Sequence, residues 1–405
     1  MNRTLGYVTP VRAYCSAGGI YMQAASGKVA DALAAQYDKV YMCTRVVEGP
    51  PDSPAELPLA AKNIELIPQP FWRTSAGSLP HFFGIARAYL RTCRRSDVLF
   101  VRGMCPYIGV LYLCALMFRR PICHWIVGYP VALLQTSTRK GRLRDTFAWL
   151  YALQDRAVSR VGRWMTGGAF ICNGRELARA YASPRTIATV SSTVEESDFS
   201  PRFDTCQGPS VRILFVGYIR PEKGIEYLLD AVSQLRHDGP WELEIVGPDQ
   251  FPDYRRKLDG IVTARKIQNR VRWIGYVPFG EPLFDRMRAA DLFVLPTLSE
   301  GTPHVLVEAR ACGLPCISTT VGGVPTTVTH GIDALLVPPK DSRALARAMQ
   351  RVIRDADLRR ALIRNGLASA RLQTLGYFTE IVLRELEIKL DRGKPEVAQE
   401  IGPRA

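Results

Sequence analysis

Short apolar segments alternate with longer amphipathic ones along this chain, and the alternation occurs twice, on either side of a polar stretch. In the first half the apolar segments are Leu5–Thr9, Lys39–Cys43, Ile64–Ile67, Val98–Arg102 and Ile122–Val127. In the second half they are Val211–Val216, Glu242–Val246, Val271–Ile274, Leu292–Pro296 and Cys316–Thr319. Strands buried on both faces and followed by helical segments predict an α/β fold with parallel sheets. Ser197–Ser210 carries two prolines, a glycine and no helical period, so the linker is placed there. The expected layout is two Rossmann-like, doubly wound domains, 1–200 and 201–372, facing across a cleft. A helix over 373–390 returns to the first domain, and the tail over 391–405 is expected to be disordered. Ligands of such sheets bind beyond the carboxyl ends of the strands, so chemistry is sought on post-strand loops.

A length of 405 residues suits two domains of ordinary size, and 47% hydrophobic with 22% charged residues is a globular composition. The longest apolar run, Tyr107 to Phe118, is too short to cross a bilayer. The N-terminus enters strand-like sequence at once, with no secretory apolar core, so a cytoplasmic protein is expected. Its ten cysteines include no C-x-x-C pair and are read as reduced thiols. The net charge of +15 is lopsided: residues 1–200 hold 24 Lys plus Arg against 13 Asp plus Glu, net +11, and residues 201–405 hold 29 against 25, net +4. A basic first half can attract an anionic substrate or lipid, and without zinc-finger or RRM signatures no nucleic-acid partner is expected.

The second half carries two motifs. In Arg212 to Leu229 a strand runs into Gly217, a tight loop bears Arg220 and Lys223, and a helix opens at Gly224. Arg220 can grip a diphosphate bidentately and Lys223 adds a point charge, although an exposed turn with solvated cations has the same local pattern. In Asp291 to Ala309 a strand ends near Pro296, Glu300 and Gly301 follow, Thr302 stands where an N-cap belongs, and Pro303 suits the first helical position. The amides of His304 and Val305 then open a helix that can hold a phosphate. Glu308 lies about 7 to 8 Å further along that helix at 1.5 Å per residue, so the two carboxylates take different partners.

Glu300 with Glu308, Gly313-Leu-Pro-Cys-Ile-Ser-Thr-Thr-Val-Gly-Gly downstream, and Arg220 with Lys223 upstream make residues 211–372 resemble the retaining GT-B glycosyltransferases of family 4. The resemblance implies that Arg220 and Lys223 bind the donor diphosphate, Glu300 the donor sugar and Glu308 the ribose. It implies a nucleotide-diphosphate sugar donor, no cofactor and no catalytic metal, while the basic first half suits a hydroxyl acceptor on a glycan or lipid-linked carrier. Asp355-Ala-Asp357 matches a D-x-D metal motif, but it leads an amphipathic helix where acidic residues are favoured as caps.

In the first half, Gly18 and Gly19 follow the first strand, where backbone can approach donor phosphates or make an ordinary turn. His124 falls inside a strand and is read as packed, leaving the catalytic His common in the resembled family without a clear counterpart. Asn173 follows another short strand, and either ligand contact or helix capping accounts for it. Residues 81–95 and 139–164 mix Arg with aromatic and aliphatic side chains at near-helical spacing. Such helices lie in a lipid interface, or pack on a core with a solvated Arg face. Rivals to the transferase reading are a nucleotide-sugar epimerase or hydrolase, and a noncatalytic partner subunit.

Overall fold

A computed structural model describes residues 3–53, 56–72, 76–128, 142–235, 239–249 and 251–392. Residues 393–405 of the expected tail, and 139–141 of the second basic, aromatic stretch, lie outside the described residues.

The first domain is built on β1 (Thr4–Val8), β2 (Ala13–Ser16), β3 (Gly19–Gln23), β4 (Lys39–Glu48), β5 (Glu56–Pro58), β6 (Ile64–Gln69), β7 (Val98–Arg102), β8 (Ile122–Ile126), β9 (Ala169–Asn173) and β10 (Thr186–Thr189). Its parallel core runs β6-β4-β1-β7-β8-β9-β10, so the strand order reverses between β1 and β7. The second domain holds β11 (Val211–Val216), β12 (Trp241–Val246), β13 (Val271–Gly275), β14 (Leu292–Leu295), β15 (Cys316–Thr319) and β16 (Leu335–Val337). These six pair in parallel in the order β13-β12-β11-β14-β15-β16, with the reversal between β11 and β14. Both reversals open a crevice at the carboxyl ends of the central strands, where doubly wound sheets bind ligands.

Central strands are buried throughout because helices cover both faces: β7 through Val101, β8 and β14 are buried residue by residue. The helix Leu375–Arg392 inserts Phe378, Val382 and Leu386 into the core of the first domain, against Trp125 and Leu33 among others. Each such side chain contributes about 1.5–3 kcal/mol on burial, so this helix straps the chain end to the domain where it began. The crossing is fixed by the Leu375 amide donating to the Val194 carbonyl and the Ser192 hydroxyl donating to the Gln373 carbonyl. Among the described residues no helix is long and apolar enough to cross a membrane.

One local departure from the sequence reading matters for the site. Gly18 and Gly19 do not make a strand-to-helix turn after β1. They sit exposed at the tip of an antiparallel hairpin in which Ser16 pairs with Gly19. The alternation of Tyr14, Cys15, Ile20 and Tyr21 around a two-residue turn is a hairpin signal.

Candidate functional site

The two sheets face each other through their carboxyl ends, and three contacts define the meeting. Thr193, just after β10, donates its hydroxyl to a Glu308 carboxylate oxygen at 3.3 Å. Lys28 stands 5.0 Å above the ring of Phe279, in the loop after β13, and donates to the Thr193 carbonyl. Gly174, after β9, lies so close to Thr326 that a Cβ there would come within 2.7 Å of its hydroxyl. Arg102, at the end of β7, lies near enough across the crevice for its charge to help lower the His304 pKa.

On the second-domain wall, β11 ends at Val216 and a 3-10 turn, Pro221–Lys223, leads into the helix Ile225–Ser233 through Gly224. Gly224 is in the left-handed region (φ 63°), and a Cβ there would lie 2.3 Å from the Pro296 carbonyl, so only glycine lets this turn lie on the end of β14. The Glu222 carbonyl accepts from both the Leu298 amide and the Thr297 hydroxyl, fixing the post-β14 loop to the turn. On the loop's other side Gly322 and Gly323 press on it: a Cβ at either would come within 1.9 Å of the carbonyl of Glu300 or Gly301 respectively. Glycine pairs there serve to hold Glu300 in place.

This packing brings Lys223 and Glu300 together as an ion pair whose side chains are only 10% and 12% exposed. Arg220 stands beside them, its guanidinium 5.6 Å from the Tyr218 ring and 4.0 Å from the Glu222 carboxylate, with a buried Nε that has no hydrogen bond. A cation with an unused donor next to a desolvated Lys–Glu pair suits an anionic ligand.

The helix after β14 spans His304–Ala311, one residue later than predicted: Pro303 occupies the N-cap position and Thr302 caps nothing. Proline has no amide to donate and an extended ψ of 95° here, so the helix opens at His304 with the amides of His304 and Val305 at its positive end. Burial and the Arg102 charge push the His304 pKa down to about 4, so the imidazole is neutral, and its Nδ1 has no hydrogen-bond partner. Glu308, 6% exposed, lies one turn on, and burial pushes its pKa up to about 7 against the small opposing effect of the Thr193 hydroxyl.

Arg310 on the same helix is fully buried, and sequence reasoning missed it. Its guanidinium pairs with Asp333 at 2.8 Å and donates to Ser369 Oγ and Gln373 Oε1, tying the helix to Ala356–Arg371 and to the domain crossing. A lone Arg in an apolar helical run was the available signal.

His124 and Asn173 leave the site. His124 is 1% exposed between Tyr112 Oη at 3.0 Å and the Gly103 carbonyl at 2.8 Å, and burial lowers its pKa to about 4. Asn173 neither caps the following helix, which opens at Gly174 without a side-chain cap, nor is free for a ligand: Oδ1 accepts from Trp125 Nε1 and Nδ2 donates to Ser191. Asp355 is a helix N-cap accepting from the Leu358 amide, and Asp357 pairs with Arg360.

The architecture is that of the GT-B glycosyltransferases: two parallel-sheet α/β domains with their site in the crevice between. Over nearly its whole length the chain superposes on sucrose-phosphate synthase from Thermosynechococcus elongatus (TM-score 0.69, 21% identity, covering 97% of this chain and 100% of that one). It superposes equally on Anabaena HepE solved in complex with UDP (TM-score 0.68, 17% identity, 95% and 100%). Residues 203–368, most of the second domain, match the family described as Glycosyl transferases group 1. In sequence the chain is 33% identical over 205 residues to the D-inositol 3-phosphate glycosyltransferase of Jonesia denitrificans, covering 46% of this chain and 48% of the relative. The chain thus spans about half the length of that curated relative.

Proposed function

We propose that this chain is a retaining glycosyltransferase of family 4, moving a sugar from a nucleotide-diphosphate sugar to a hydroxyl of a glycan or lipid-linked acceptor. The observation that carries the reading is the buried convergence of Lys223 with Glu300, beside Arg220 and the opening of the helix His304–Ala311. Arg220, Lys223 and the His304 and Val305 amides neutralise the departing diphosphate, a role that needs no metal. Glu300 accepts from donor-sugar hydroxyls once the diphosphate takes over Lys223, and the Glu308 carboxylate accepts from the ribose. The acceptor oxygen bonds to the anomeric carbon on the face from which the diphosphate oxygen leaves, and the acceptor proton passes to the departing phosphate. Fixed charges that meet the developing charge without reorganising supply the rate.

The first domain suits an acceptor at an anionic membrane surface. Leu113 and Met117 on the helix Ile108–Met117, and Val161 and Trp164 on the helix Arg142–Thr166, are exposed, and a groove of about 350 Å³ between the helices is lined by Tyr112, Leu113, Val158 and Met165. The exposed Arg160 lies on the same helix, in the half of the chain that carries most of the positive charge. Co-sedimentation with anionic vesicles, and none with zwitterionic ones, is the expected outcome.

The reading is tested by a thermal-shift screen with UDP-, GDP- and ADP-sugars, since a ligand of the native state raises its melting temperature. One nucleotide class is expected to stabilise the protein, and transfer to an acceptor from that donor should follow. Stabilisation by none of them would remove the donor assignment.

A further inference from the structure

Arg102 ends β7 on the first-domain side of the crevice, and its surroundings are unlike those of its neighbours. Arg120 leans on Asp97 and Arg95 on Glu65, but among the described residues no carboxylate pairs with Arg102. Its guanidinium instead lies 5.1 Å from the ring centre of Trp125, its register partner on β8. The Arg102 Nε is shut away from solvent with no hydrogen-bond acceptor, and His304 Nδ1, which its charge reaches from across the crevice, is likewise unpartnered.

The platform beneath Arg102 is rigid. Trp125 is held by its indole N–H on Asn173 Oδ1, by Phe100 stacked at 6.0 Å and by Phe378 at 4.7 Å. Asn173 is held in turn by Ser191. A guanidinium resting over an aromatic ring makes no hydrogen bond to it and keeps its N–H donors for an oxyanion, and a buried donor without an acceptor is costly until one arrives.

We propose that Arg102, seated on Trp125, binds an anionic group of the acceptor, a phosphate or a carboxylate, from the first-domain wall of the crevice. The inference rests on the transferase reading above and adds the acceptor's charge to it. Arg220 and Lys223 serve the donor's diphosphate from the opposite wall. Arg102 therefore sets which acceptors are taken, and Trp125 is a positioning residue for it.

Inorganic phosphate is the probe, titrated into the full chain at constant ionic strength, with UDP titrated separately. In Arg220→Gln protein, where the diphosphate clamp is weakened, phosphate binding is expected to persist, and adding Arg102→Gln should weaken it about tenfold or more, as loss of charge-assisted hydrogen bonds does. Arg102→Lys, which keeps the charge but not the fork, should recover part of that loss. Arg102→Gln alone should leave UDP affinity within about twofold while Arg220→Gln lowers it about tenfold. Unchanged phosphate affinity in the folded double variant overturns the proposal, and so does an equal loss of UDP affinity in Arg102→Gln, which would assign the anion to the donor. Failure of UDP to bind the wild-type chain breaks the donor reading instead and leaves the phosphate result standing on its own.

Discussion

The two walls of the crevice are built differently. On the second-domain wall the functional side chains come from two short segments, 220–223 and 300–308, each hung on a strand end and pinned by backbone contacts with the other. On the first-domain wall the residues that meet it come from separate strand ends: Arg102 at the end of β7, Gly174 after β9, Thr193 after β10. The proposed donor's diphosphate and ribose present the same groups whatever sugar they carry, so one contiguous cassette suffices. An acceptor of arbitrary shape must be met by residues that the fold, not the sequence, brings together.

The largest effect should come from the second wall. Lys223→Ala removes the cation proposed to meet the diphosphate and leaves Glu300 buried without its partner, and turnover in the purified, folded variant is expected to fall about a hundredfold, as when one preorganised charge donor is lost. Wild-type turnover would take Lys223 out of the mechanism. Next is Gly323→Ala, whose Cβ meets the Gly301 carbonyl. It should displace the Glu300 loop and lower kcat about tenfold at a stability cost of about 1–3 kcal/mol, measured by steady-state kinetics and thermal unfolding. Equal kcat would mean that the glycine pair does not hold Glu300.

Two buried carboxyls sharpen the comparison. Burial pushes the Glu308 carboxyl up to about 7, so nucleotide affinity should rise between pH 6 and 8 as the carboxylate proposed to accept ribose hydroxyls forms, and Glu308→Gln should bind more weakly with a flat profile. In the first domain burial likewise holds Asp155 up at about 7. Both folded-state values lie above the ordinary carboxylate range, so the native state binds more protons than the unfolded chain, and each group makes stability fall as pH rises from about 4 to 7. Asp155→Asn should therefore raise the melting temperature at pH 8 without altering nucleotide affinity. A change in affinity would tie Asp155 to the site. The smallest effect belongs to His124→Gln: a kcat within about twofold, with about 1 kcal/mol lost from its hydrogen bonds to Tyr112 and Gly103. A large fall in kcat would return His124 to catalysis.

Much of the second domain was legible in the sequence because its periodicity is uniform and its motif residues are near neighbours in the chain. Strand ends at Val216 and Thr319 fall where the apolar runs stop. The helix start was misplaced by one residue because Thr302-Pro303 fits an N-cap pair as well as a loop ending in an N-cap proline. The first domain was less legible. The hairpin around Gly18 hides within a run that also reads as a turn into a helix, and Asn173 follows its strand as a cap would while its side chain turns inward to Trp125. Arg102 closes an apolar strand like any terminal polar residue; only pairing with β8 places it over Trp125, and only the second domain gives it something to face.

The most direct test of the central claim is a calorimetric titration of UDP into wild-type and Lys223→Ala protein. Saturable binding to the wild type, weakened about tenfold or more when the lysine is removed, is the expected result. Equal affinity in the two folded proteins would contradict a diphosphate held on this wall of the crevice.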